Sequence, residues 1–510
     1  MSPSEGAAPL RISNPASGNF VAEVPLTRVE QLPGLAQRAR EAQGAWEALG
    51  VEARAAALLR YRALLAERAD EIAETVAAET GKPVEEARAS DLFLVLEGIT
   101  HWARNAKRML APERIRPRLF KHKRVLSRYV PRGLVGVISP WNFPFAIAVG
   151  DAMPALVAGN AVIVKPSELT PGSALLAAAL WREAGLPAAV FQVAVGRGDL
   201  GAALLEHVDM VMFTGSVGTG RRIAARCGEL LVPCSLELGG KDPMIVCADA
   251  DLERATNACV FGALLNAGQA CLSVERVYVE APVYDEYVRR VEAKVRSLRL
   301  GAPGEDADIG SLTSPAQLAK VAEHVEEALA RGAKALTGGK RSERAGLFFE
   351  PTLLVDVDHE MACMREESFG PIIPVMKVRD VEEAIRLAND SSFGLAASVF
   401  TRDRRKGLAI AERLRAGGVC VNDCLVHAFI PNAPMGGTKQ SGSGRRHGVE
   451  GLRKYCEQQT LVVDRLGLRS EPFWYPRSRV RQGLMRRFQE LLYGRARARH
   501  GAGAAREGVH

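Results

Sequence analysis

Met210-Val211-Met212-Phe213-Thr214-Gly215-Ser216-Val217-Gly218-Thr219-Gly220 runs from an apolar strand through a glycine turn into the start of a helix. A turn of this kind presents backbone N–H groups and a helix N-terminus to a phosphate. Its glycines stand at 215, 218 and 220, which is not the G-x-G-x-x-G spacing, so alone it fits a plain tight turn equally well. The residues before it carry the same rhythm. Apolar runs at Leu134–Ile138, Ala161–Val164 and Val190–Val193 alternate with Ala-rich helical stretches. That alternation predicts βαβ units and a parallel sheet, hence an α/β fold. From about 240 to 430 the pattern repeats with its own Gly- and Pro-bounded strands. Upstream, residues 29–110 read as long helices, with Leu58, Leu59, Leu64, Leu65 and Ile72 at helical spacing. Residues 119–130 alternate basic and apolar, a strand with one wet face.

At 510 residues the chain is too long for one core, and two or three domains are expected. Its 47% hydrophobic and 25% charged content is that of an ordinary soluble globular protein. The nine cysteines form no CxxC pair and no zinc spacing, and the odd count points to reduced thiols in the cytoplasm, with no metal site. Cys420 and Cys424 read as core residues. Met1 to Leu10 lacks a basic stretch followed by an apolar run, so no signal peptide is expected. No run of apolar residues is long enough to span a membrane.

The net charge of +8 is local. From Arg465 onward there are eleven Arg and three Glu, so that tail carries +8 and leaves 56 basic and 56 acidic residues elsewhere.

Two short strings bear chemistry. Leu236-Glu237-Leu238-Gly239-Gly240-Lys241 ends an apolar run read as a strand from Leu230 to Leu238, and its Gly-Gly pair forces a turn after the carboxylate. Gly268-Gln269-Ala270-Cys271-Leu272-Ser273 follows a helix expected from about Asp251 to Asn266. Each string alone reads as a surface Glu or a buried structural Cys. Together, in this order, they offer a general base and a thiol nucleophile on loops held by rigid neighbours.

Three further strings add to these. Ser139-Pro140-Trp141-Asn142-Phe143-Pro144 is a loop stiffened by two prolines, in which Asn142 offers an amide donor to a developing oxyanion; a lone Asn between aromatics also forms turns. Val162-Ile163-Val164-Lys165-Pro166-Ser167-Glu168 puts Lys165 and Glu168 at the end of a parallel strand, where a dinucleotide's ribose would lie, or on the surface with no partner. Glu366-Glu367-Ser368-Phe369-Gly370-Pro371 supplies a carboxylate and an aromatic wall, or merely ends a strand.

The strings PWNFP (140–144), KPSE (165–168), FTGS (213–216), ELGGK (237–241), GQACLS (268–273), EESFGP (366–371) and PMGGTKQSGSGR (434–445) occur in one order. In order and spacing the chain resembles the NAD(P)-dependent aldehyde dehydrogenase superfamily over roughly residues 10–465. The resemblance implies a Rossmann-like cofactor domain (1–112 and 132–238), an α/β catalytic domain (239–435) and a small β oligomerisation arm (113–131 and 455–465), followed by a basic amphipathic tail (466–510). It implies that Cys271 attacks the aldehyde carbon, that Asn142 and the Cys271 N–H hold the oxyanion, and that Glu237 activates the water that hydrolyses the thioester. For the cofactor it implies Lys165 and Glu168 at the adenosine ribose, Thr214, Gly215, Ser216 and Gly220 at the pyrophosphate turn, and Trp141, Glu367 and Phe369 around the nicotinamide. Glu168 accepts hydrogen bonds from free ribose hydroxyls and repels a 2′-phosphate, so NAD is favoured, with NADP allowed. A homodimer or homotetramer follows from the exposed arm.

Some relatives carry a Glu immediately after the glycine that corresponds to Gly448; here that place is Val449, with Glu450 next. Relatives that take semialdehydes often place an Arg after the PWNFP loop, whereas Phe145-Ala146-Ile147-Ala148-Val149-Gly150 supplies none. An apolar pocket, roomy near Gly150, is expected, and with it a medium- or long-chain or terpenoid-like aldehyde. His427, in an apolar loop, reads as a packing or rim residue.

In the tail, Phe473-Trp474-Tyr475 precedes a candidate helix with Val480, Leu484, Phe488, Leu491 and Leu492 on one face and Arg477, Arg481, Arg486 and Arg487 around the other. Such a segment suits an anionic membrane surface, a neighbouring subunit or a solvated tail. A neutral body and an apolar stripe make nucleic acid the poorer partner. Competing functions are a CoA-acylating or semialdehyde dehydrogenase of the same fold, and a non-catalytic binding protein. Glu237 argues against the CoA-acylating one, and an intact Cys271, Glu237 and Asn142 against the last.

Overall fold

The computed structural model describes residues 8–471, 473–476 and 478–494; Arg477 and residues 495–510 of the expected tail lie outside them. The chain divides into two units. The first is Met1–Ala111 with Tyr129–Gln459, and the second is Pro112–Arg128 with Thr460–His510.

In the first unit, five parallel strands answer to the continuous apolar runs of the sequence: β1 (Leu134–Ile138), β2 (Ala161–Lys165), β3 (Phe191–Val193), β4 (Met210–Thr214) and β5 (Cys234–Glu237). Their order is β5-β4-β1-β2-β3, and a two-residue strand, Gly442–Ser443, pairs antiparallel outside β5. β1, β2 and β4 are buried at every position, as a sheet covered by helices on both faces requires. The order reverses between β1 and β4, which makes their carboxyl ends the place where a ligand binds in such sheets.

A second sheet contains β6 (Asp242–Val246), β7 (Val274–Glu280), β8 (Lys334–Thr337), β9 (Thr352–Val355), β10 (Ile372–Val378), β11 (Ala396–Phe400) and β12 (Gly418–Val421), in the order β8-β9-β10-β7-β6-β11-β12. It is parallel except at its β8 edge. Four helices of this unit carry or frame the chemical strings: α1 (Phe93–Met109), α2 (Pro144–Ala158), α3 (Val217–Leu230) and α4 (Leu252–Leu264).

Two expectations shift. The run from Leu230 to Leu238 is a strand only from Cys234: Leu230 ends α3, Leu231 caps it in the left-handed region (φ 55°) and Pro233 cannot donate to a ladder. The helix expected from Asp251 to Asn266 stops at Leu264. Asp251 is its N-cap, accepting from the Glu253 and Arg254 N–H groups, and Asn266 and Ala267 turn left-handed (φ 54° and 53°).

In the second unit, Glu113–Ile115 pairs antiparallel with Lys123–Pro131, whose other neighbour is Cys456–Asp464; the last two strands run on from the first unit. The strand expected from 119 starts only at Lys123, because Phe120 is left-handed (φ 57°). A helix, α5 (Arg479–Tyr493), follows in the tail, with Ser478 as its N-cap.

Candidate active site

The seven strings are scattered over about 300 residues, and most of them meet at the carboxyl ends of β1, β4 and β5. Cys271 sits on the turn after α4, where three successive residues, Asn266, Ala267 and Gly268, have positive φ. For Ala267 this costs about 1–2 kcal/mol, so the neighbours must impose it. They do so through side chains. Asn266 Nδ2 donates to the Asn142 carbonyl at 2.9 Å, the Asn266 N–H donates to Glu86, and Gln269 Nε2 reaches back to the Asn266 carbonyl at 2.9 Å. Gly268 has no alternative: a Cβ there would lie 2.1 Å from the Gly370 carbonyl oxygen.

Asn142 is buried beside this turn. Its Nδ2 donates to the Gln269 carbonyl at 2.8 Å, which leaves the second amide hydrogen for another acceptor. Its carbonyl accepts from Lys82 Nζ at 2.9 Å. Lys82 is itself buried, paired with Asp91 at 2.9 Å and lying 4.3 Å from the centre of the Phe143 ring. Asp91 in turn accepts from the N–H groups of Phe145 and Ala146, capping α2. Sequence reasoning passed over Lys82 and Asp91, which stand in a polar stretch with Glu85, Glu86 and Arg88 and carry no distinguishing signal there.

Glu237 ends β5 and is 2% exposed, with both carboxylate oxygens lacking a hydrogen-bond partner among the described residues. Burial pushes its carboxyl up to about 7, against the pull of Arg446 and Lys454 and with a push from Asp151. The following glycines bring its string to the others. A Cβ on Gly240 would meet the Cys271 carbonyl oxygen at 2.4 Å, and one on Gly239 would meet the Glu367 carboxylate at 2.5 Å. The Gly240 N–H donates to Glu367 Oε1 at 3.0 Å. Burial also pushes the Cys271 thiol up to about 12, and it pushes Glu367 to about 7.

The Glu367–Phe369 loop is held from below. Glu275 accepts from the N–H groups of Ser368 and Phe369 at 2.8 Å each, and buried Lys241 Nζ pairs with Glu275 at 2.7 Å. This positions the Phe369 ring edge-on to Trp141, with centroids 5.5 Å apart.

On the other side of the β1/β4 crevice, Lys165 ends β2 buried, and its Nζ lies 3.5 Å from the half-exposed Glu168 carboxylate; burial lowers its pKa. Gly215 donates its N–H to the Glu237 carbonyl at 3.1 Å, and Ser216 caps α3 through the Thr219 N–H. Gly220 lies inside α3, where a Cβ would strike Leu238 at 2.5 Å, so its place in the turn is one of close packing.

A cavity of about 150 Å³ opens at Cys271, the size at which an apolar cavity admits benzene. Its walls are Phe93, Leu94, Ile99 and Trp102 of α1, Phe143, Ile147 and Met153, and Leu265, Leu425 and Phe429. Gly98 and Gly150 line it too, and a Cβ on either would meet nothing within 4 Å. His427 packs its ring against Gly418 and does not line this cavity. Arg446 and Asp151 form the charged end, joined by two hydrogen bonds of 2.8 and 2.9 Å. Both were overlooked in the sequence, although Asp151 is the one acid in the apolar stretch that forms α2.

A thiol, an unpaired buried carboxylate, a spare amide donor and a nucleotide-type crevice are thus brought to one place. The sequence pattern of the Aldehyde dehydrogenase family fits residues 2–461.

The chain belongs to the aldehyde dehydrogenase family.

It is an α/β enzyme of that family, an NAD(P)-dependent aldehyde oxidoreductase. Among its relatives, a Mycolicibacterium smegmatis protein provisionally named succinate-semialdehyde dehydrogenase (NADP(+)) is 43% identical over 454 residues, covering 88% of each chain. The 4,4'-diapolycopene aldehyde oxidase of a Methylomonas species is 37% identical over 484 residues, covering 94% of this chain and 91% of its own. The crystal structure of a Mycobacterium tuberculosis aldehyde dehydrogenase complexed with NAD+ superimposes with a TM-score of 0.86 at 35% identity, over 91% of this chain and 96% of the other.

Proposed function

We propose that this protein oxidises an apolar, extended aldehyde to its carboxylic acid with NAD(P)+. The observation that carries the reading is the cavity at Cys271, whose walls are mostly aromatic and aliphatic, with Glu97 and His447 also lining it, and in which Arg446 is already taken by Asp151.

Cys271 Sγ adds to the carbonyl carbon once its proton has left. Glu237, with a pKa near neutrality, is suited to take that proton. The negative oxygen of the adduct is stabilised by the spare Asn142 amide hydrogen and the Cys271 N–H. Loss of a hydride converts the adduct to a thioester on Cys271. Glu237, once it has passed the thiol proton on to solvent, removes a proton from water as that water attacks the thioester, releasing the carboxylic acid and the thiolate.

The donor set at the crevice fits a dinucleotide. Lys165 and Glu168 would hold the adenosine ribose, and Gly215 and Ser216, with Thr214 and Gly220 forming the turn, would face the pyrophosphate. Trp141 and Phe369 would flank the nicotinamide, with Glu367 at its ribose. Bound there, NAD(P)+ supplies the hydride acceptor. Glu168 favours NAD, whereas the M. smegmatis relative is named for NADP(+). We assign 1–112 and 132–238 to a cofactor domain, 239–435 to a catalytic domain, and 113–131 with 455–465 to an arm that joins two or four copies. We assign the enzyme to the cytoplasm.

A second reading, a semialdehyde dehydrogenase, draws on that relative's name and on Arg446 at the cavity. It requires Arg446 to release Asp151. Initial rates of NADH formation from hexanal, decanal, a conjugated polyenal and succinate semialdehyde decide between the two. A kcat/KM that climbs with apolar length supports the proposal; the highest value for the semialdehyde overturns it.

A further inference from the structure

Among the described residues, nothing covers an apolar face of the tail helix. Within α5, Val480, Leu484, Phe488 and Leu491 are between 51% and 73% exposed. At 100° per residue they occupy one arc, with Arg481 and Arg487 on its two flanks, Arg479 and Arg486 on the far side, and Glu490 the helix's one acid. The helix meets the rest of its unit elsewhere. Arg118 lies 5.4 Å from the Tyr493 ring, on the opposite side, and Arg481 donates to Ser470 at 3.1 Å. Beside it stand half-exposed Phe473, packed on Phe120 with centroids 5.4 Å apart, and Trp474.

We propose that α5 docks this enzyme on an anionic lipid surface, with its apolar arc among the acyl chains and its arginines at the headgroups. Charge chooses the lipid over a second copy. The tail from Arg465 carries +8 on an otherwise neutral chain, so two tails face to face would set arginine against arginine, whereas an anionic bilayer attracts them. Area argues the same way. Fifteen residues form a helix about 22 Å long, whose face of roughly 220 Å² falls well short of the ~800 Å² per partner of a standard protein interface. A helix with this composition lies in the interface and does not span it, and no described helix is long and apolar enough to cross a membrane. The segment also lies beyond residue 461, where the family pattern ends. Docking rests on the proposed function only for its purpose, which is to hold the cavity near aldehydes that partition into lipid.

The test is flotation of the full-length protein with phosphatidylcholine vesicles, with and without roughly a third phosphatidylglycerol, at about 0.1 M salt. The protein is expected to float with the anionic vesicles and to stay below with the neutral ones. Replacing Arg481 and Arg487, which flank the arc, with Gln should weaken binding about tenfold or more, and Leu484→Glu with Phe488→Glu should abolish it. Both variants should keep wild-type turnover of hexanal in solution. Failure of the wild type to float, or equal flotation of the glutamate variant, overturns the proposal. A loss of oligomer mass in the glutamate variant, with no flotation of the wild type, assigns the face to a second copy instead. Preference for succinate semialdehyde by a protein that does float would sink the substrate reading and leave docking intact.

Discussion

The guanidinium of Arg446 grips the Asp151 carboxylate through Nε and Nη2 at 2.8 and 2.9 Å, and the same Nη2 donates to Thr214 Oγ1 at 2.6 Å. The pair joins residues 295 positions apart at the charged end of the cavity. Burial opposes the Arg446 charge, but Asp151 and Glu237 hold its pKa above the ordinary value. In return Arg446 is the main group that keeps the Glu237 carboxyl from rising further than about 7. Arg446→Met should therefore move the basic-side gain in kcat to higher pH, because Glu237 will ionise later. It should also cost about 3–5 kcal/mol of stability by leaving Asp151 buried without a partner. Thermal unfolding and a pH–rate profile of Arg446→Met beside Arg446→Met/Asp151→Asn separate the two effects. The double variant is expected to regain much of the stability, and an unmoved kinetic limb in either would show that Arg446 does not tune Glu237.

Glu237→Gln should stop the hydrolytic step and spare the earlier one to the extent that another group accepts the thiol proton. The expected record is a burst approaching one NADH per active site, followed by turnover reduced at least about a hundredfold. The pH limb near 7 should vanish with the carboxyl. Stability follows with a definite sign. A carboxyl whose folded pKa is raised from 4.5 to about 7 favours the folded state in its protonated form, and that advantage is lost as pH rises through 7. Glu237→Gln should then be more stable than wild type at pH 8, by up to about 3 kcal/mol, and little changed at pH 5. Calorimetry at the two pH values reads this directly.

Asn142→Ala removes the spare amide hydrogen and the bond to the Gln269 carbonyl together. Loss of one oxyanion donor costs about 10²–10³ in kcat, while KM should move little if the donor acts mainly on the developing charge. Lys82→Met offers a contrast. It leaves Asp91 buried and unpaired, so unfolding should come several degrees earlier, with any fall in kcat tracing to a looser Asn142 carbonyl. A kcat for Asn142→Ala within threefold of wild type would remove Asn142 from the chemistry.

Glu168 is 43% exposed beside Lys165, so its charge acts through a screened medium. Glu168→Ser should raise kcat/KM for NADP+ by about tenfold and lower it for NAD+ by less. Steady-state kinetics with each nucleotide will also settle which one the unaltered protein prefers. A wild type that favours NADP+ would mean that Glu168 turns away from the ribose.

Much of the architecture was legible because the strands that frame the crevice, Leu134–Ile138, Ala161–Lys165 and Met210–Thr214, are apolar runs bounded by Gly, Pro or charged residues. Leu134–Ile138 forms with the expected bounds, and Ala161–Val164 gains only Lys165. What escaped was set by partners far along the chain. The helix before Cys271 stops early because Glu86 and Asn142 seize the backbone and side chain of Asn266, and an Ala at 267 gives no warning of a left-handed turn. Lys82 with Asp91, and Arg446 with Asp151, leave no periodic trace, since an ion pair needs only one residue at each end.

The two glycines in the cavity wall give the sharpest test of substrate shape. Gly98 lies on α1 and Gly150 on α2, and each would accept a Cβ without a contact inside 4 Å. Larger side chains at either place should fill the cavity and leave the backbone undisturbed, because neither glycine has a positive φ. A helical Gly replaced by a better helix former is, if anything, stabilised. Gly150→Phe and Gly98→Leu are therefore expected to fold as well as wild type and to act on acetaldehyde within about threefold of its rate. Toward decanal each should lose about 10–200-fold in kcat/KM, the scale on which a pocket discriminates small differences in apolar fit. Equal losses on acetaldehyde and decanal would mean that the side chains disturb Cys271 itself, and no loss on either would place the substrate along a different wall.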